Sequence, residues 1–403
     1  MLIKIAWRNV WRNKTRSLVI IAAVAIGLWA GFFLMSFYNG LIEQRIRAAI
    51  ETEISHLQIH HSQFLNDYDI QYYIPSAANL LEQTEKDPLI KAVAARVVIK
   101  GMISSASGST GIQINGVYPE EEDHVTQLGR KLIDGNYFTK EKPYEIIISE
   151  KTLKKLKLKL NEKTILTFQD KDGNIAAGAF RIAGIYKTVN TPYDEGNAFV
   201  KIYDIDTLAG IAHQCNEVAL LLQKGKDVEN VKRRLQKEYP QLEIKTWTEI
   251  SPEMSLLVAA SDQTMLIYMS IIMLALAFGI INTMLMAVLE RTREIGMMLA
   301  LGMNRIRVFT MIVFETVFLV FAGTPVGIVL GLGTIAYTHK KGINLKQFSE
   351  AYSSLGYSSL IYPTFNIRQF FLMLAMVIGT AFIASLLPAR RAFKLKPAEA
   401  IRQ

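Results

Sequence analysis

The side chains with the greatest chemical potential in this chain are a handful of histidines, a single cysteine and a run of charges that begins at Glu290. If Leu57 to His60 is a strand, His56 and His60 share a face with Gln58, because alternate residues of a strand point the same way. Two imidazoles without a nearby third ligand are weak evidence for zinc. Asp170-Lys171-Asp172-Gly173 lacks the ligand spacing and terminal Glu of a calcium loop and reads as a hairpin turn. Cys215 has no second cysteine to pair with and reads as a packing residue. No stretch fits G-x-x-x-x-G-K-[ST], G-x-S-x-G or H-E-x-x-H, so the phosphate-cradling loop of an ATPase and the two commonest hydrolase signatures are missing. The expectation is a chain with no catalytic residues, no cofactor and no metal of its own.

What remains is charge placed beside apolar sequence. The segment Glu290-Arg291-Thr292-Arg293-Glu294-Ile295-Gly296-Met297-Met298-Leu299-Ala300-Leu301-Gly302 mixes both within a short span. A short helix from Arg293 to Leu301 would set Glu294 and Met298 on one face, one charge and one apolar knob turned toward a partner. Glu315 lies inside an apolar stretch, where an ionised carboxylate is expensive without a partner. It sits within reach of Arg307, and a structural ion pair is the favoured reading over an ion path. Gly323, Gly327 and Gly331 recur every fourth residue and permit close approach of another helix, whether in the same chain or across a dimer. Pro325 is expected to bend that helix. Near the start, Ile3, Trp7, Val10 and Trp11 fall on one side of a helix, and Lys4, Arg8 and Arg12 on another, the pattern of an interfacial helix lying on the inner leaflet.

The elements that must position these residues follow from composition. With 50% hydrophobic and 20% charged residues and a mean hydropathy of +0.20, the chain belongs partly in lipid and partly in water. Its net charge of +9 resides beside apolar segments without a basic stripe of stacking aromatics, which points to a membrane surface and not to nucleic acid. Four stretches, Ser17 to Phe37, Met265 to Leu289, Phe309 to Tyr337 and Gln369 to Leu387, meet the requirement of about 20 apolar helical residues for a crossing. The first exceeds a signal-peptide core and reads as an uncleaved anchor. Cations at Lys4, Arg8, Arg12, Lys14 and Arg16, at Arg291, Arg293, Arg305 and Arg307, and at Arg390, Arg391, Lys394, Lys396 and Arg402 put both termini in the cytoplasm. Lys340, Lys341, Lys346 and Arg368 run against that bias.

The fold class expected is an integral membrane protein of four transmembrane helices with a large extracytoplasmic α+β domain between the first and second. The plan is a cytoplasmic interfacial helix (1–16), a first crossing (17–39), the extracytoplasmic domain (40–264), a second crossing (265–289), a cytoplasmic coupling segment (290–308), a third crossing (309–337), an extracytoplasmic loop (338–368), a fourth crossing (369–388) and a cytoplasmic tail (389–403). Within the large domain, Thr164 to Phe168 and Phe180 to Tyr186 flank Asp172-Gly173-Asn174, and Val97 to Ser104 and Ile112 to Val117 flank a Ser/Gly turn; both read as hairpins. Val228, Val231, Leu235 and Tyr239 recur at helical spacing before a strand from Leu242 to Trp247.

The segment after the second crossing resembles the ERxREIGxxxALG signature of the MacB/LolC/LolE/FtsX-type permeases, the type VII ABC transporters. Pro388-Ala389-Arg390-Arg391-Ala392 and Pro397-Ala398-Glu399-Ala400-Ile401-Arg402 are similar to that family's C-terminal motif, Ala6 to Asn13 to its N-terminal elbow helix, and His56-Leu57-Gln58-Ile59-His60 to a stretch early in Lol-type periplasmic domains. The resemblance implies a permease in the inner membrane that pairs with a second permease copy or a homologue and with a cytoplasmic ABC ATPase that binds ATP and Mg. ATP turnover there would move the external domain. Glu290, Arg291, Arg293, Glu294, Gly296, Met298 and Gly302 are then expected to couple to the ATPase. Lol-like release of lipoproteins is the first implication; MacB-like export, FtsX-like signalling to a periplasmic partner, and a membrane sensor or scaffold that needs no ATPase are the alternatives.

Overall fold

The computed structural model of the protein describes residues 2–211 and 214–394, with side chains from Ala6 onward. The chain divides into two compact units. One comprises residues 1–42, 259–344 and 360–403, the other residues 43–258 and 345–359.

The first unit is helical. An N-terminal helix α1 (Leu2–Arg12) precedes α2 (Lys14–Ala48), α3 (Pro252–Glu290), the short α4 (Thr292–Ala300), α5 (Arg305–Lys341) and α6 (Ile367–Phe393), residues 43–48 of α2 and 252–258 of α3 being counted in the second unit. Four of these, α2, α3, α5 and α6, are long and apolar enough to cross a membrane. Their exposed faces are apolar too: Phe278, Val329, Phe371 and Ile383 are all more than half exposed, as expected of helices that meet lipid. Inward-facing Val24, Leu28, Met269, Ile280, Val308, Ile312, Met373 and Val377 form one core. Asn304 and Asn366 start α5 and α6 by accepting from the amides two residues on, each at 3.0 Å, which satisfies N–H groups that have no partner in the helix.

The glycine stripe of α5 packs against α2 of the same chain. A Cβ at Gly323 would lie 2.8 Å from the Ile21 carbonyl oxygen, one at Gly327 2.7 Å from Leu28 Cβ, and one at Gly331 3.0 Å from the Phe32 ring. Those contacts are tighter than van der Waals, so the missing side chains are what brings the two backbones together. Pro325 is accommodated within a continuous α5. We expect Gly327→Val to push the helices apart and cost about 1–3 kcal/mol of stability. Gly333→Val, where an added Cβ meets nothing within 4 Å, should leave the thermal midpoint of the detergent-solubilised chain unchanged.

The second unit is built on a ten-stranded sheet. Its strands are β1 (Leu57–His61), β2 (Ile90–Ser105), β3 (Gly108–Val117), β4 (Leu132–Gly135), β5 (Glu145–Ser149), β6 (Lys163–Gln169), β7 (Ile175–Tyr186), β8 (Asn197–Lys201), β9 (Glu217–Leu222) and β10 (Leu242–Thr246). They run in the order β10-β1-β9-β2-β3-β8-β5-β7-β4, with β6 paired to β2 and β7. Both expected hairpins form: β2 pairs β3 and β6 pairs β7, antiparallel. The Asp170 carboxylate accepts from the amides of Asp172 and Asn174 at 2.9 and 2.8 Å, which fixes that sequence as a turn. The helix after β9 covers Val228–Glu238. Trp247 does not extend β10; it opens the next helix, because Thr246 and Glu249 form a capping box around it.

The sheet packs two apolar cores, one around Ile99, Ile114, Ile148, Leu166 and Phe180, the other around Leu57, Ile59, Val218, Leu220 and Val231. Cys215 belongs to the second. Between elements of this unit, Arg96 is buried with two carboxylates, its guanidinium donating to Glu122 at 2.7 and 2.9 Å and to Glu217 at 2.8 Å. His60 is fully buried, 3.1 Å from the Asn216 carbonyl and 3.1 Å from Gln58 Oε1. Burial pushes its imidazole below the ordinary range, and a neutral ring, with one N–H, donates to only one of these oxygens. His56 stands apart from it and accepts from the Leu222 amide at 3.1 Å. Among the described residues no three His, Cys, Asp or Glu side chains converge as a metal site. Residues 345–359, sequentially between α5 and α6, belong to this unit, where helix Ser349–Ser354 packs on helix Thr191–Gly196.

Candidate functional site: the short helix after α3 and its ion pairs

α3 ends at Glu290 and α4 begins two residues later. Thr292 turns the corner, its hydroxyl donating to the carbonyl of Leu289 at 2.8 Å. Gly302 closes α4 with φ +92°, in the left-handed region that favours glycine. There its amide reaches the Leu299 carbonyl at 3.1 Å and the Met303 amide the Met298 carbonyl at 3.0 Å. These bonds use carbonyls that a helix end leaves unpaired. Two residues later Asn304 caps α5. The spacing from Glu290 through Gly302 to Asn304 thus encodes a helix, a one-residue reversal and a new helix.

Six charges converge on one side of α4. Arg12 of α1 donates to both oxygens of Glu294 at 2.7 Å, Arg291 reaches Glu294 at 3.3 Å and Glu315 of α5 at 2.9 Å, and Arg16 of α2 pairs with Glu290. Three cations therefore balance three carboxylates around a polar cavity of about 270 Å³ that Asn9, Asn13 and Ser17 also line. Arg12, donating to both its oxygens, holds the Glu294 carboxyl below the usual carboxylate range. The pairs differ in exposure. Arg291 and Glu315 keep only 15% and 10% of their side-chain surface, against 53% and 42% for Arg12 and Glu294. The former pair therefore resists removal of either partner, and the latter contributes little by itself. The structural ion pair expected at Glu315 forms, but its cation is Arg291 and not Arg307, which is exposed.

The remaining residues of the segment sort by face. Ile295 and Gly296 are buried, Met298 is half-buried against the helical core, and Arg293, Met297 and Leu301 are exposed. Glu294 and Met298 share a face, as expected; there the Glu294 carboxylate is held by Arg12 and Arg291 while keeping 42% of its side-chain surface, and Met298 packs partly against the helical core. The outward face, at positions 293, 297 and 301, is one cation and two apolar side chains spaced four apart. Sequence reasoning counted Leu301 among the apolar residues of the segment but missed Met297, although its i, i+4 spacing from Arg293 is visible. It also missed the roles of Arg16 and Glu315 as partners of the signature.

In α1, Ala6 and Val10 are buried and Trp7, Arg8, Trp11 and Arg12 exposed. Trp7 meets Phe318 of α5 edge-on at 5.7 Å and Trp11 at 6.0 Å. The side chains of Ile3 and Lys4, and the motif from Pro397 to Arg402 with Lys396, lie outside the described residues.

Four apolar helices, a large α+β unit inserted between the first and second, and a charged short helix after the second together define a class. The chain belongs to the FtsX-like permeases of ABC transporters that carry a MacB-like periplasmic core domain: the MacB-like periplasmic core domain matches residues 17–238 and the FtsX-like permease C-terminal domain residues 266–397. Among relatives, it is 26% identical to the lipoprotein-releasing system transmembrane protein LolC of Neisseria meningitidis serogroup B, across 96% of this chain and 94% of that one. It is 22% identical to the lipoprotein-releasing system transmembrane protein LolE of Haemophilus influenzae, across 98% of each. Among solved structures, the periplasmic region of MacB from Actinobacillus actinomycetemcomitans covers 53% of this chain and 97% of its own at 16% identity and a TM-score of 0.37.

Proposed function

We propose that this permease pairs with a separate cytoplasmic ATPase through the outward face of α4, and that ATP turnover in that partner drives movement of the large domain to release lipoproteins from the inner membrane. In this reading both termini and α4 are cytoplasmic and the large domain is extracytoplasmic. A second permease, identical or homologous, completes the transporter. The observation that carries it is the two-sidedness of α4. Its inner side is tied to α1 and α5 through Arg12, Glu294, Arg291 and Glu315, while Arg293, Met297 and Leu301 stand free outside. A push on the outer face is thus delivered to α1 and α5 by charge-assisted bonds. Near full-length similarity to LolC and LolE, which spans the external domain as well as the helices, supports lipoprotein as the cargo class.

The test is reconstitution of the permease with a candidate cytoplasmic ABC ATPase, in proteoliposomes loaded with a lipoprotein. ATP-dependent appearance of lipoprotein in the soluble fraction with an added periplasmic acceptor is the expected result. Turnover that responds to a soluble periplasmic substrate and not to lipoprotein would move the assignment to export. Absence of any ATPase that co-purifies would favour a sensor or scaffold.

A further inference from the structure

Away from the ion-pair network, a second cavity opens between the start of α5 and the end of α6, with a volume of about 790 Å³. It is lined by the apolar Ile306, Phe309 and Phe393, which can serve as its floor, and by three cations, Arg305, Arg390 and Lys394, whose charged ends can serve as its rim. Among the described residues no acidic side chain lines it and none of the three cations has an ion pair. Arg305 donates one N–H to the Phe393 carbonyl at 3.4 Å, which leaves its other donors available. On α6, Leu386 and Leu387 are exposed just before Arg390, so the apolar floor continues onto a surface built for acyl chains.

We propose that this cavity is a binding site for an acidic phospholipid of the cytoplasmic leaflet, with the phosphate held by Arg305, Arg390 and Lys394 and one acyl chain laid over Phe309 and Phe393. Charge complementarity selects the sign of the headgroup, and basic pockets between membrane helices at the cytoplasmic side are suited to such groups. A free phosphate would satisfy the rim but leave the floor of Ile306, Phe309 and Phe393 wet, at a cost that burying a chain removes. The lipid would bridge α5 and α6 at the ends next to α4. The leaflet named here rests on the orientation given under Proposed function; the binding itself does not.

The full-length chain, purified in non-ionic detergent and equilibrated with equimolar phosphatidylglycerol and phosphatidylethanolamine, is examined by native mass spectrometry. Wild type should retain phosphatidylglycerol preferentially. Arg305→Gln, Arg390→Gln and Lys394→Gln together should lower its retention at least about tenfold, and each alone should lower it in part, so a triple variant that folds poorly still leaves three single losses to read. Phe393→Ser should also weaken retention with every rim charge in place. The neighbouring pair Arg307→Gln, Arg391→Gln, outside the cavity, should retain lipid as wild type does. Detergent mixtures offer lipid to both ends of the helices, so an inverted orientation, read separately by labelling a cysteine at position 304, would change the leaflet and leave these results intact. Unchanged retention in the rim variants, equal loss in the control pair, or full displacement by millimolar inorganic phosphate would overturn the proposal. So would loss of ATPase binding in the rim variants with lipid retention unchanged, which would mark the cavity as a protein contact.

Discussion

Replacing Arg291 by Gln should destabilise the helical unit by about 3–5 kcal/mol, the cost of leaving a buried carboxylate without its counter-charge. Glu315 keeps 10% of its side-chain surface and receives Arg291 at 2.9 Å. Its neighbours in that stretch of α5, Ile312 and Leu319, are apolar and buried, and offer no replacement hydrogen bond. The carboxylate would then have to take up a proton, draw in water or turn to Arg16, which lines the same polar cavity. The measurement is the thermal midpoint of the detergent-solubilised chain, with the amount of protein inserted in cells alongside. Arg291→Met with Glu315→Met should recover most of the loss, since swapping both partners for apolar groups removes the desolvation cost that the single change exposes. Arg12→Gln should cost far less, because the Arg12 and Glu294 side chains remain about half exposed to water. If Arg291→Gln were as mild as Arg12→Gln, the burial of the Glu315 pair would be disproved.

The contrast between these pairs marks where sequence reading ended. Segment identity was legible: four apolar stretches, two hairpins around Gly-rich turns and the helix from Val228 follow from local patterning, and each is written within a few consecutive residues. The reach of the signature charges was not. Arg12 and Glu294 stand 282 residues apart and Arg291 and Glu315 24 apart, and nothing local distinguishes Arg291 from Arg307 as the closer cation to Glu315. The same holds for the sheet. Its parallel pairings, β3 with β8 and β5 with β7, and the placement of β1 between β9 and β10 depend on long crossovers that alternation of residue type does not record. The glycine stripe was visible as a close-packing face, but only the structure assigns α2 of the same chain as what it packs on. In α4 the difficulty was of another kind. Ile295, Met297, Met298, Leu299 and Leu301 put apolar residues around most of the helix, so periodicity could not say which side faces the protein.

That ambiguity decides how the coupling proposal must be tested. A Glu294→Arg, Met298→Asp variant would set a third cation beside Arg12 and Arg291 and bury an acid against the helical core, so its failure would report on folding. The informative change is on the opposite side. Arg293→Glu with Met297→Asp alters two exposed positions that make no ion pair with any other described residue and lie four apart on one face. We expect this variant to insert and melt like wild type, because neither side chain is buried and surface substitutions shift stability by only about 0.5 kcal/mol. Against a docked ATPase the same change reverses one charge and desolvates another, which can cost about 2–5 kcal/mol at an interface. At the upper end that is a loss of a thousandfold or more in affinity, about tenfold for each 1.4 kcal/mol. Co-purification of the ATPase and lipoprotein-stimulated ATP turnover should therefore both collapse while the thermal midpoint holds. Leu301→Asp, at a position 89% exposed, should act in the same direction without touching the Gly302 reversal. A variant carrying all three changes that still recruited its ATPase and released lipoprotein at the wild-type rate would remove α4 from the transmission path. The ion pairs behind it would then serve only to hold the helical unit together.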